Sequence, residues 1–478
     1  MNKTVSHKEH QVDSRLHIVV IGSGSAAFAG ALAATERGAR VTMVEGGDVI
    51  GGCCVNVGCV PSKILIRAAH LAYQQAHHAF AAIEHHEPKI DRAKLTAQIS
   101  ERVKSLRFAK YERILSRNPS IDFIRGWAKL LDARTVEVLT PQNQSVRIVA
   151  DKILIATGAT PWIPPIPGLE KTPYWRSTEE IFADEMPHHL VVIGSSVIAV
   201  ELAQAYRRLG AEVTILARHR LLSKYDAILG DNLVKYFAEE GIRVITQATV
   251  KNVVYQAGEF VVSLGNEKVC GDRLLVATGR RPNTADLNLA AAGVATDDSG
   301  AIIVNERLET SCPGIYAAGD CANLPQLVYV AAAAGHRAGM NMMGERGVLN
   351  LDAVPMVIFT DPQVATVGLS PQEAIAQGLR VETRTLSLDN VPRALANFDE
   401  RGFIRLVAEA DNQCLLGAQI LAHDAGEMIQ TVAVAIEQRM SVTEFAEMLF
   451  PYLTMNEGLK LCAQAFFKDV SQLSCCAG

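Results

Sequence analysis

The sequence predicts an α/β protein with two Rossmann-like dinucleotide-binding domains and a C-terminal α+β domain. Two segments align without gaps, "VVIGSGSAAFAGALAATERGARVTMVEGG" from Val19 and "VVIGSSVIAVELAQAYRRLGAEVTILARH" from Val191. Each has an apolar strand, a Gly turn, a helix of small residues and a second apolar strand, which is the pattern of a βαβ unit. Each is followed by a further apolar strand, ending in "ATGATP" or "ATGRRPN". Because "GIYAAGDC" comes after the second copy, we infer that this copy is inserted into the first.

The first copy has the residues that a dinucleotide-binding turn requires. Glycine is needed where the backbone bends tightly and where it approaches a pyrophosphate, which lies at the amino end of the following helix. Gly22, Gly24 and Ala27 follow the first strand with this spacing. Glu45 ends the next strand, where an acidic residue holds a ribose hydroxyl. The glycine motif alone is weak evidence, but strand, spacing and carboxylate together predict a nucleotide site.

The second copy differs from the first at the acidic position. Gly194 and Ser196 hold its turn, but Ala217 stands where the carboxylate is expected, and Arg218 and Arg220 follow it. Loss of a carboxylate and gain of cations favour a nucleotide that carries a 2′-phosphate. The second nucleotide is therefore predicted to be NADPH rather than NADH. The alternative is that the two arginines belong to a solvated loop.

Composition and charge limit the classes of partner. The 478 residues are 49% hydrophobic and 20% charged, with a formal net charge of -5, and no basic block suited to nucleic acid or an anionic membrane is present. No apolar run reaches the length of a membrane span, and the first residues have no apolar core typical of a secretory signal. We expect a cytoplasmic protein whose partners are small molecules. Ten cysteines are too sparse for a disulfide scaffold in this chain, so clustered ones indicate redox or metal chemistry.

One such cluster is "GGCCVNVGCVPSK", residues 51–63. In a regular helix Cys54 and Cys59 would be separated by about 7.5 Å of rise and would point to different sides. A disulfide does not tolerate that arrangement, so the segment must be distorted if the sulfurs are to meet. The two preceding glycines free the backbone, and Pro61 removes an amide donor. A helix beginning here would also stabilise a thiolate at its amino end.

The rest of the chain has a coarser pattern. Residues 63–117 are mostly helix-forming, with a break near Pro88. From about Leu349 onwards strands alternate with helices, which predicts an α+β module. The strands are "VPMVIFT", "FIRLVAEA" and "LLGAQILA", and the helices are "AGEMIQTVAVAIEQRM" and "SVTEFAEML".

Residues 51–63 together with "GIYAAGDC" resemble the active-site and second FAD motifs of the pyridine nucleotide-disulfide oxidoreductases, which include glutathione reductase and dihydrolipoyl dehydrogenase. The resemblance begins near His17 and implies FAD at the first nucleotide site. The residues that it implies are Asp320 at the ribityl chain, Cys59 as the thiolate beside the flavin, Cys54 facing the substrate, Lys63 near flavin N5 with Glu201 as its acidic partner, and Gly52, Thr157, Gly158 and Gly279 as further cofactor contacts. From the residues alone, Lys63 is equally a surface lysine.

One position departs from the disulfide reductases of that family. They carry a His-Pro-Thr-x-x-Glu motif, whose His exchanges protons with a thiol leaving group. The corresponding run here is "YLTMNEG", in which Thr454 and Glu457 persist but Tyr452 replaces the His. A phenol with a pKa of about 10 does not shuttle protons at neutral pH without a large shift of that pKa. Dithiol–disulfide exchange is therefore disfavoured.

Thiols and a phenol suit a soft, thiophilic cation instead. Tyr452, combined with "LSCCAG" at residues 473–478, resembles the mercuric reductases, a branch of the family. This implies a homodimer that reduces Hg(II) to Hg(0) with NADPH in mercury detoxification, the tail of one subunit passing thiol-bound Hg(II) to the active site of the other. The implied metal ligands are Cys54, Cys59, Cys475 and Cys476, and the implied tyrosines beside the metal are Tyr111 and Tyr452.

Several expectations complete the interpretation. The predicted domains are a flexible segment 1–15, an FAD-binding domain 16–165 with 286–348, an NADPH-binding domain 166–285, a dimerisation domain 349–470 and a mobile tail 471–478. Cys53, where many relatives have Thr, is expected to pack as a small apolar residue rather than to bind metal. The alternative functions are a disulfide reductase and a non-catalytic thiol buffer for soft metals.

Overall fold

The structure is a computed structural model that describes residues 15–469, which divide into two compact units. The first comprises residues 15–54, 105–160 and 281–349, and the second comprises 55–104, 161–280 and 350–469. This division places 55–104 in the second unit, because the helix that begins at Cys59 packs against a helix of that unit. It also joins most of the predicted domains 166–285 and 349–470 in one unit. The predicted tail 471–478 lies outside the described residues, as do residues 1–14.

The first unit is built on a parallel sheet. Its strands are β1 (His17–Ile21), β2 (Arg40–Glu45), β3 (Ile121–Arg125), β7 (Lys152–Ile155) and β17 (Ile315–Ala317). They run in the order β17-β7-β1-β2-β3, and their apolar residues are mostly buried, as in parallel sheets covered on both faces. Because the strands are parallel, the turns after β1, β2, β7 and β17 lie at one edge of the sheet.

Two helices pack closely beside this sheet, α1 (Ser25–Thr35) and α9 (Val328–Met342). A Cβ on Gly335 would lie 2.0 Å from the carbonyl oxygen of Ala26, so only glycine permits this approach of the two backbones. The other elements are α2 (Gly52–Asn56), a π-helical turn (Phe108–Glu112), α5 (Arg113–Arg117) and the antiparallel strands β4 (Trp127–Leu130), β5 (Thr135–Leu139) and β6 (Ser145–Val149). Strands β8 (Ala159–Pro161) and β16 (Arg280–Pro282) lie where the chain passes from one unit to the other.

The second unit contains the second nucleotide-binding fold. Its parallel strands, in the order β11-β10-β9-β15, are β9 (His189–Ile193), β10 (Glu212–Leu216), β11 (Ile242–Ile245) and β15 (Arg273–Val276). With them are helices α6 (Ser177–Ile181), α7 (Val197–Arg208) and α8 (Ala227–Glu239) and the antiparallel strands β12 (Asn252–Gln256), β13 (Glu259–Ser263) and β14 (Lys268–Gly271). The two copies of the βαβ pattern therefore both form parallel sheets, as predicted.

The C-terminal part of this unit is an antiparallel sheet with helices, so the predicted α+β module is confirmed. The strands, in the order β18-β19-β22-β21-β20, are β18 (Met356–Ile358), β19 (Gln363–Gly368), β20 (Val381–Ser387), β21 (Phe403–Glu409) and β22 (Leu415–Ala422). The helices are α10 (Pro371–Ala376), α11 (Pro392–Asn397), α12 (Ala425–Glu437), α13 (Val442–Glu447) and α14 (Glu457–Gln464). Alternate residues of the central strands, such as Leu406 and Ile420, are buried with Phe445 in one core.

The predicted helical stretch is present and interrupted. Helix α3 (Cys59–Ala76) and helix α4 (Arg92–Arg107) are separated by residues 77–91, which include Pro88. Arg92 anchors the start of α4, because its buried guanidinium donates to the carbonyl oxygen of Ile181 at 2.7 Å. Within residues 15–469 no helix is long and apolar enough to cross a membrane.

Candidate active site

The first nucleotide turn forms a cradle that only glycine can build. Gly22 has φ +111°, and a Cβ on it would lie 2.3 Å from the carbonyl oxygen of Ala156. Gly52 has φ +69°, and its Cβ would lie 2.7 Å from the Cα of Gly24. Gly24 is the N-cap of α1 and has no side chain to cap the helix, so the N–H groups at the amino end of α1 have no side-chain acceptor from the N-cap. This arrangement fits a pyrophosphate.

Glu45 is held in place at the end of β2. One of its carboxylate oxygens accepts from the Ser23 hydroxyl at 2.6 Å and the other from the Gly47 N–H at 2.7 Å. The exposed ring of Trp127 covers the neighbouring Gly46, where a Cβ would lie 2.5 Å from the ring. The carboxylate is thus oriented as a ribose contact requires. Sequence reasoning missed both Ser23 and Trp127, which no spacing rule identifies.

The remaining residues predicted for FAD lie at the same edge of the sheet. Thr157 follows β7 and exchanges two hydrogen bonds with Asn283, one from its hydroxyl at 2.8 Å and one to its carbonyl at 2.9 Å. Gly158 has φ +69°, and Asp320 lies half-buried after β17. The structure therefore brings this predicted set together, although nucleotide binding by these residues stays a prediction. The set is Gly22, Gly24, Ala27, Glu45, Gly52, Thr157, Gly158 and Asp320.

The second nucleotide turn has the same backbone geometry as the first. Gly194 has φ +141°, and a Cβ on it would lie 2.2 Å from the carbonyl oxygen of Ala277, the residue after β15. Ser196 is the N-cap of α7 and has an extended backbone. Gly279, predicted as a cofactor contact, has φ +124° and open space around its Cα. These residues follow β9 and β15, whose carboxyl ends share one edge of the sheet.

The two arginines predicted to bind a 2′-phosphate differ in their surroundings. Ala217 is buried directly after β10, and Arg218 next to it is exposed. Arg220 is half-buried and donates to the carbonyl oxygen of Tyr225 at 2.8 Å. Because Arg220 is already engaged by the chain, Arg218 is the better candidate for a phosphate contact.

The predicted distortion between the redox cysteines is present. Helix α2 ends at Asn56 and α3 begins at Cys59, and Gly58 between them has φ -123° and ψ -109°. Cys59 is exposed at the amino end of an 18-residue helix, where the helix dipole favours a thiolate. Cys54, in α2, is half-buried. Cys54 belongs to the first unit and Cys59 to the second.

The expectation for Cys53 is wrong. Helix α2 is only one turn long, and it buries Val55 and Asn56 while leaving Cys53 exposed. Its side chain therefore does not pack as a small apolar residue. This exposure is not predictable from sequence, because a five-residue helix is too short to show an apolar period that would indicate its buried side.

Lys63 forms an ion pair with a buried carboxylate, so it is not an ordinary surface lysine. Its ammonium lies 2.7 Å from a carboxylate oxygen of Glu201, which is 3% exposed. The second oxygen of Glu201 accepts from the backbone N–H of Phe359 at 2.8 Å. The ammonium also lies 4.8 Å from the centre of the Phe359 ring. The buried carboxylate thus has two donors that compensate its loss of hydration. Phe359 was not predicted.

Helix α7, which carries Glu201, also contributes to a buried cluster of charged side chains. Arg208 of α7 donates to Glu240 at 2.6 Å and to Asp361 at 2.8 Å. Asp361 is also 3.2 Å from His70 of α3 and 3.3 Å from Arg401. Burial alone would raise the pKa of Asp361, but the hydrogen bond from His70 and the charges of Arg208 and Arg401 outweigh it and hold that pKa well below its usual range. This cluster fixes α3 against α7.

The two predicted tyrosines lie in different units. Tyr111 is in the π-helical turn of the first unit, with its ring edge-to-face on Phe28 at 5.0 Å and its hydroxyl 3.4 Å from that of Ser25, the first residue of α1. Tyr452 belongs to the second unit and is 55% exposed. The buried Glu457 carboxylate accepts from the backbone N–H of Leu453 at 3.1 Å, which fixes the turn that presents Tyr452. Cys475 and Cys476 lie outside the described residues.

Comparison with known proteins gives consistent matches along the chain. The family described as pyridine nucleotide-disulphide oxidoreductase matches residues 16–335, and the dimerisation domain of that family matches residues 354–463. The match to the dimerisation domain supports a homodimer.

Individual relatives carry a more specific name. The mercuric reductase of Shewanella putrefaciens is 58% identical over 97% of this chain and 83% of its own length. Those of Shigella flexneri and Staphylococcus aureus are 55% and 42% identical, with 97% and 98% of this chain and 83% and 85% of their own lengths covered.

Solved structures agree in fold. The HOCl-induced flavoprotein disulfide reductase RclA from Escherichia coli has a TM-score of 0.84 and 29% identity. LpdA from Mycobacterium tuberculosis has a TM-score of 0.86 and 28% identity. Each comparison covers 95% of this chain and 100% of the solved one.

Proposed function

The chain belongs to the pyridine nucleotide-disulphide oxidoreductase family, and from this premise we propose that it is an NADPH-dependent flavoenzyme that reduces Hg(II) to Hg(0). The observation that carries the proposal is the identity of 58% over 97% of the chain to a relative named mercuric reductase. The replacement of a proton-shuttling His by Tyr452 agrees with it, because reduction of a metal ion needs no protonated thiol leaving group.

The nucleotide sites fit the two cofactors. The glycine cradle at Gly22, Gly24 and Gly52 leaves room for the FAD pyrophosphate, and Glu45 is oriented for its ribose. The second turn, with exposed Arg218 and without a carboxylate at Ala217, suits NADPH. With both bound, the cofactors would supply hydride transfer from NADPH and the two electrons that Hg(II) needs.

Within this function the cysteines bind and exchange the metal. Cys54 and Cys59 act as thiolate ligands, which soft cations prefer, and the amino end of α3 stabilises the Cys59 thiolate. A dithiolate complex of Hg(II) is very stable, so the metal moves only when incoming thiolates displace outgoing ones. Cys475 and Cys476 of one subunit supply such thiolates to the active site of the other. Lys63, fixed by Glu201, would hold a positive charge for the flavin, as the family resemblance implies.

The tyrosines and the homodimer complete the proposal. Tyr452 lies on an exposed turn of the C-terminal module, which suits a residue that reaches the active site of the other subunit. Its phenol hydroxyl donates a hydrogen bond to a thiolate ligand of the bound metal. Tyr111 lies beside the first nucleotide turn. We place the reaction in the cytoplasm, where the NADPH and small thiols that it consumes are found.

The test is anaerobic turnover with Hg(II) in excess small thiol, with simultaneous measurement of NADPH oxidation and of volatile Hg(0). We expect both to rise together. Rapid NADPH oxidation with glutathione disulfide or lipoamide would instead identify a disulfide reductase. Stoichiometric Hg(II) binding without NADPH oxidation would identify a thiol buffer, and either result would overturn the proposal.

A further inference from the structure

Phe359 contacts both members of the Lys63–Glu201 pair. Its backbone N–H donates to one oxygen of the Glu201 carboxylate at 2.8 Å, while the Lys63 ammonium contacts the other oxygen at 2.7 Å. The face of its ring lies 4.8 Å from the same ammonium. A single residue of the C-terminal module therefore orients the carboxylate by its backbone and the ammonium by its side chain.

The position of Phe359 is fixed by one face of helix α7. Glu201, Gln204 and Arg208 are spaced by three and four residues, so they lie on the same side of that helix. Glu201 binds the N–H of Phe359. Gln204 accepts from the N–H of Asp361 and donates to its carbonyl oxygen, both at 2.8 Å, and Arg208 binds the Asp361 carboxylate. These bonds leave the backbone that carries the ring little freedom to shift.

We propose that Phe359 is a positioning residue that confines the Lys63 ammonium to one place, and this inference rests on the proposed function in taking Lys63 to act on the flavin. The side chain of Lys63 is 33% exposed, so it has water as an alternative partner. An aromatic face within about 6 Å of a cation stabilises it by a factor of roughly two to thirty in an equilibrium constant. The ring therefore shifts the ammonium from solvent-directed conformations to the one on Glu201.

The consequence concerns the electronic environment of the flavin. A cation held at a fixed position favours the addition of electrons to a neighbouring group more than a mobile, hydrated cation does. Removal of the ring should therefore make the flavin harder to reduce. The Glu201 contact to the backbone N–H of Phe359 does not depend on the side chain, so a substitution tests the ring alone.

The experiment compares three variants of the FAD-loaded full chain without any mercury. Phe359→Leu removes the ring, and Phe359→Tyr keeps it, with room for the added hydroxyl because Phe359 is 38% exposed. Phe398→Leu is the matched control, because Phe398 is an exposed phenylalanine of the same unit whose ring contacts Phe80. The measurements are the flavin midpoint potential by dye equilibration, the rate of flavin bleaching by NADPH, and the melting temperature.

We expect Phe359→Leu to have a more negative potential and about threefold to tenfold slower bleaching, with the other two variants unchanged. A wild-type potential in Phe359→Leu would overturn the inference. An equal loss in Phe359→Tyr, accompanied by a lower melting temperature, would also overturn it by showing a packing role. Failure to form Hg(0) leaves this test intact, since NADPH and flavin alone are involved, so the two proposals fail separately.

Discussion

Substitution of Gly52 by alanine should release FAD. A Cβ at this position would lie 2.7 Å from the Cα of Gly24, whereas ordinary contact begins near 3.4 Å. The Cα of Gly24 is a backbone atom and the Cβ is fixed directly to the backbone of residue 52, so the cradle must open by about 0.7 Å. Overpacking of this kind costs about 1–3 kcal/mol. The left-handed φ of +69° adds about 1 kcal/mol for any residue with a Cβ.

Gly293 is the matched control for this substitution. It has the same φ of +69° and belongs to the same unit, but nothing lies within 4 Å of its Cβ position. Gly293→Ala therefore carries the conformational cost of about 1 kcal/mol without the clash. The difference between the two variants isolates the cradle. If the clash of about 1–3 kcal/mol appears as lost affinity, FAD should bind about fivefold to 150-fold more weakly to Gly52→Ala than to Gly293→Ala.

The assay is the fraction of flavin retained after dialysis, together with the dissociation constant for FAD added back to the apoprotein. Far-ultraviolet circular dichroism checks that both variants are folded. The reasoning is refuted if Gly52→Ala retains flavin as the unsubstituted protein does. It is equally refuted if Gly293→Ala loses flavin to the same extent, since strain in the backbone would then explain both.

Three further predictions follow from the sites. Arg218→Ala should raise the KM for NADPH about tenfold or more and leave the KM for NADH unchanged. Arg220→Ala should raise the KM for NADPH less, because Arg220 already donates to a carbonyl oxygen of the chain. Steady-state kinetics with both nucleotides checks this. Replacement of Cys475 and Cys476 by Ser should lower Hg(II) turnover at least tenfold when competing thiols hold the metal, with unchanged bleaching of the flavin by NADPH. Asp361→Asn should lower the melting temperature at pH 7, and this deficit should persist down to about pH 4 and shrink only below it. The reason is that a carboxyl with a depressed pKa loses its stabilising effect as the pH falls through its pKa in the folded protein. A deficit that grows on acidification would contradict the last prediction.

Exposure of Cys53 has a bearing on the proposed metal exchange. The chain has adjacent cysteines in the redox segment, at Cys53 and Cys54, as well as in the tail. Because Cys53 is exposed, it is accessible to small thiol-bound metals and should be counted in any titration of reactive thiols. A thiol count that assumes only the proposed redox pair would therefore omit Cys53.

Local sequence was sufficient for the elements of the fold and for the residues that end its strands. Apolar periodicity identified both βαβ copies, and parallel strands necessarily bring their following turns to one edge, so Gly22, Glu45 and Thr157 were predictable as a group. The positions of Gly22 and Gly194 after their strands were also predictable from spacing. The structure supplies the steric reason, since a Cβ at either would meet the carbonyl oxygen of Ala156 or Ala277, just after a neighbouring strand. The replacement of the family's motif histidine by Tyr452 was also evident from the sequence alone.

Tertiary structure decided which of these residues have partners. Phe359 is 158 positions from Glu201, and no local period relates them, so their hydrogen bond depends on how the C-terminal module packs on α7. The folded chain also distinguishes two arginines that are two positions apart and equal in charge. Arg220 donates to a carbonyl oxygen, whereas Arg218 is exposed. Sequence alone thus determined the nucleotide-binding turns, because the spacing of strand, glycine turn and helix is a pattern within a short segment. The partners of Lys63 were set by contacts between distant segments, which only the folded chain specifies.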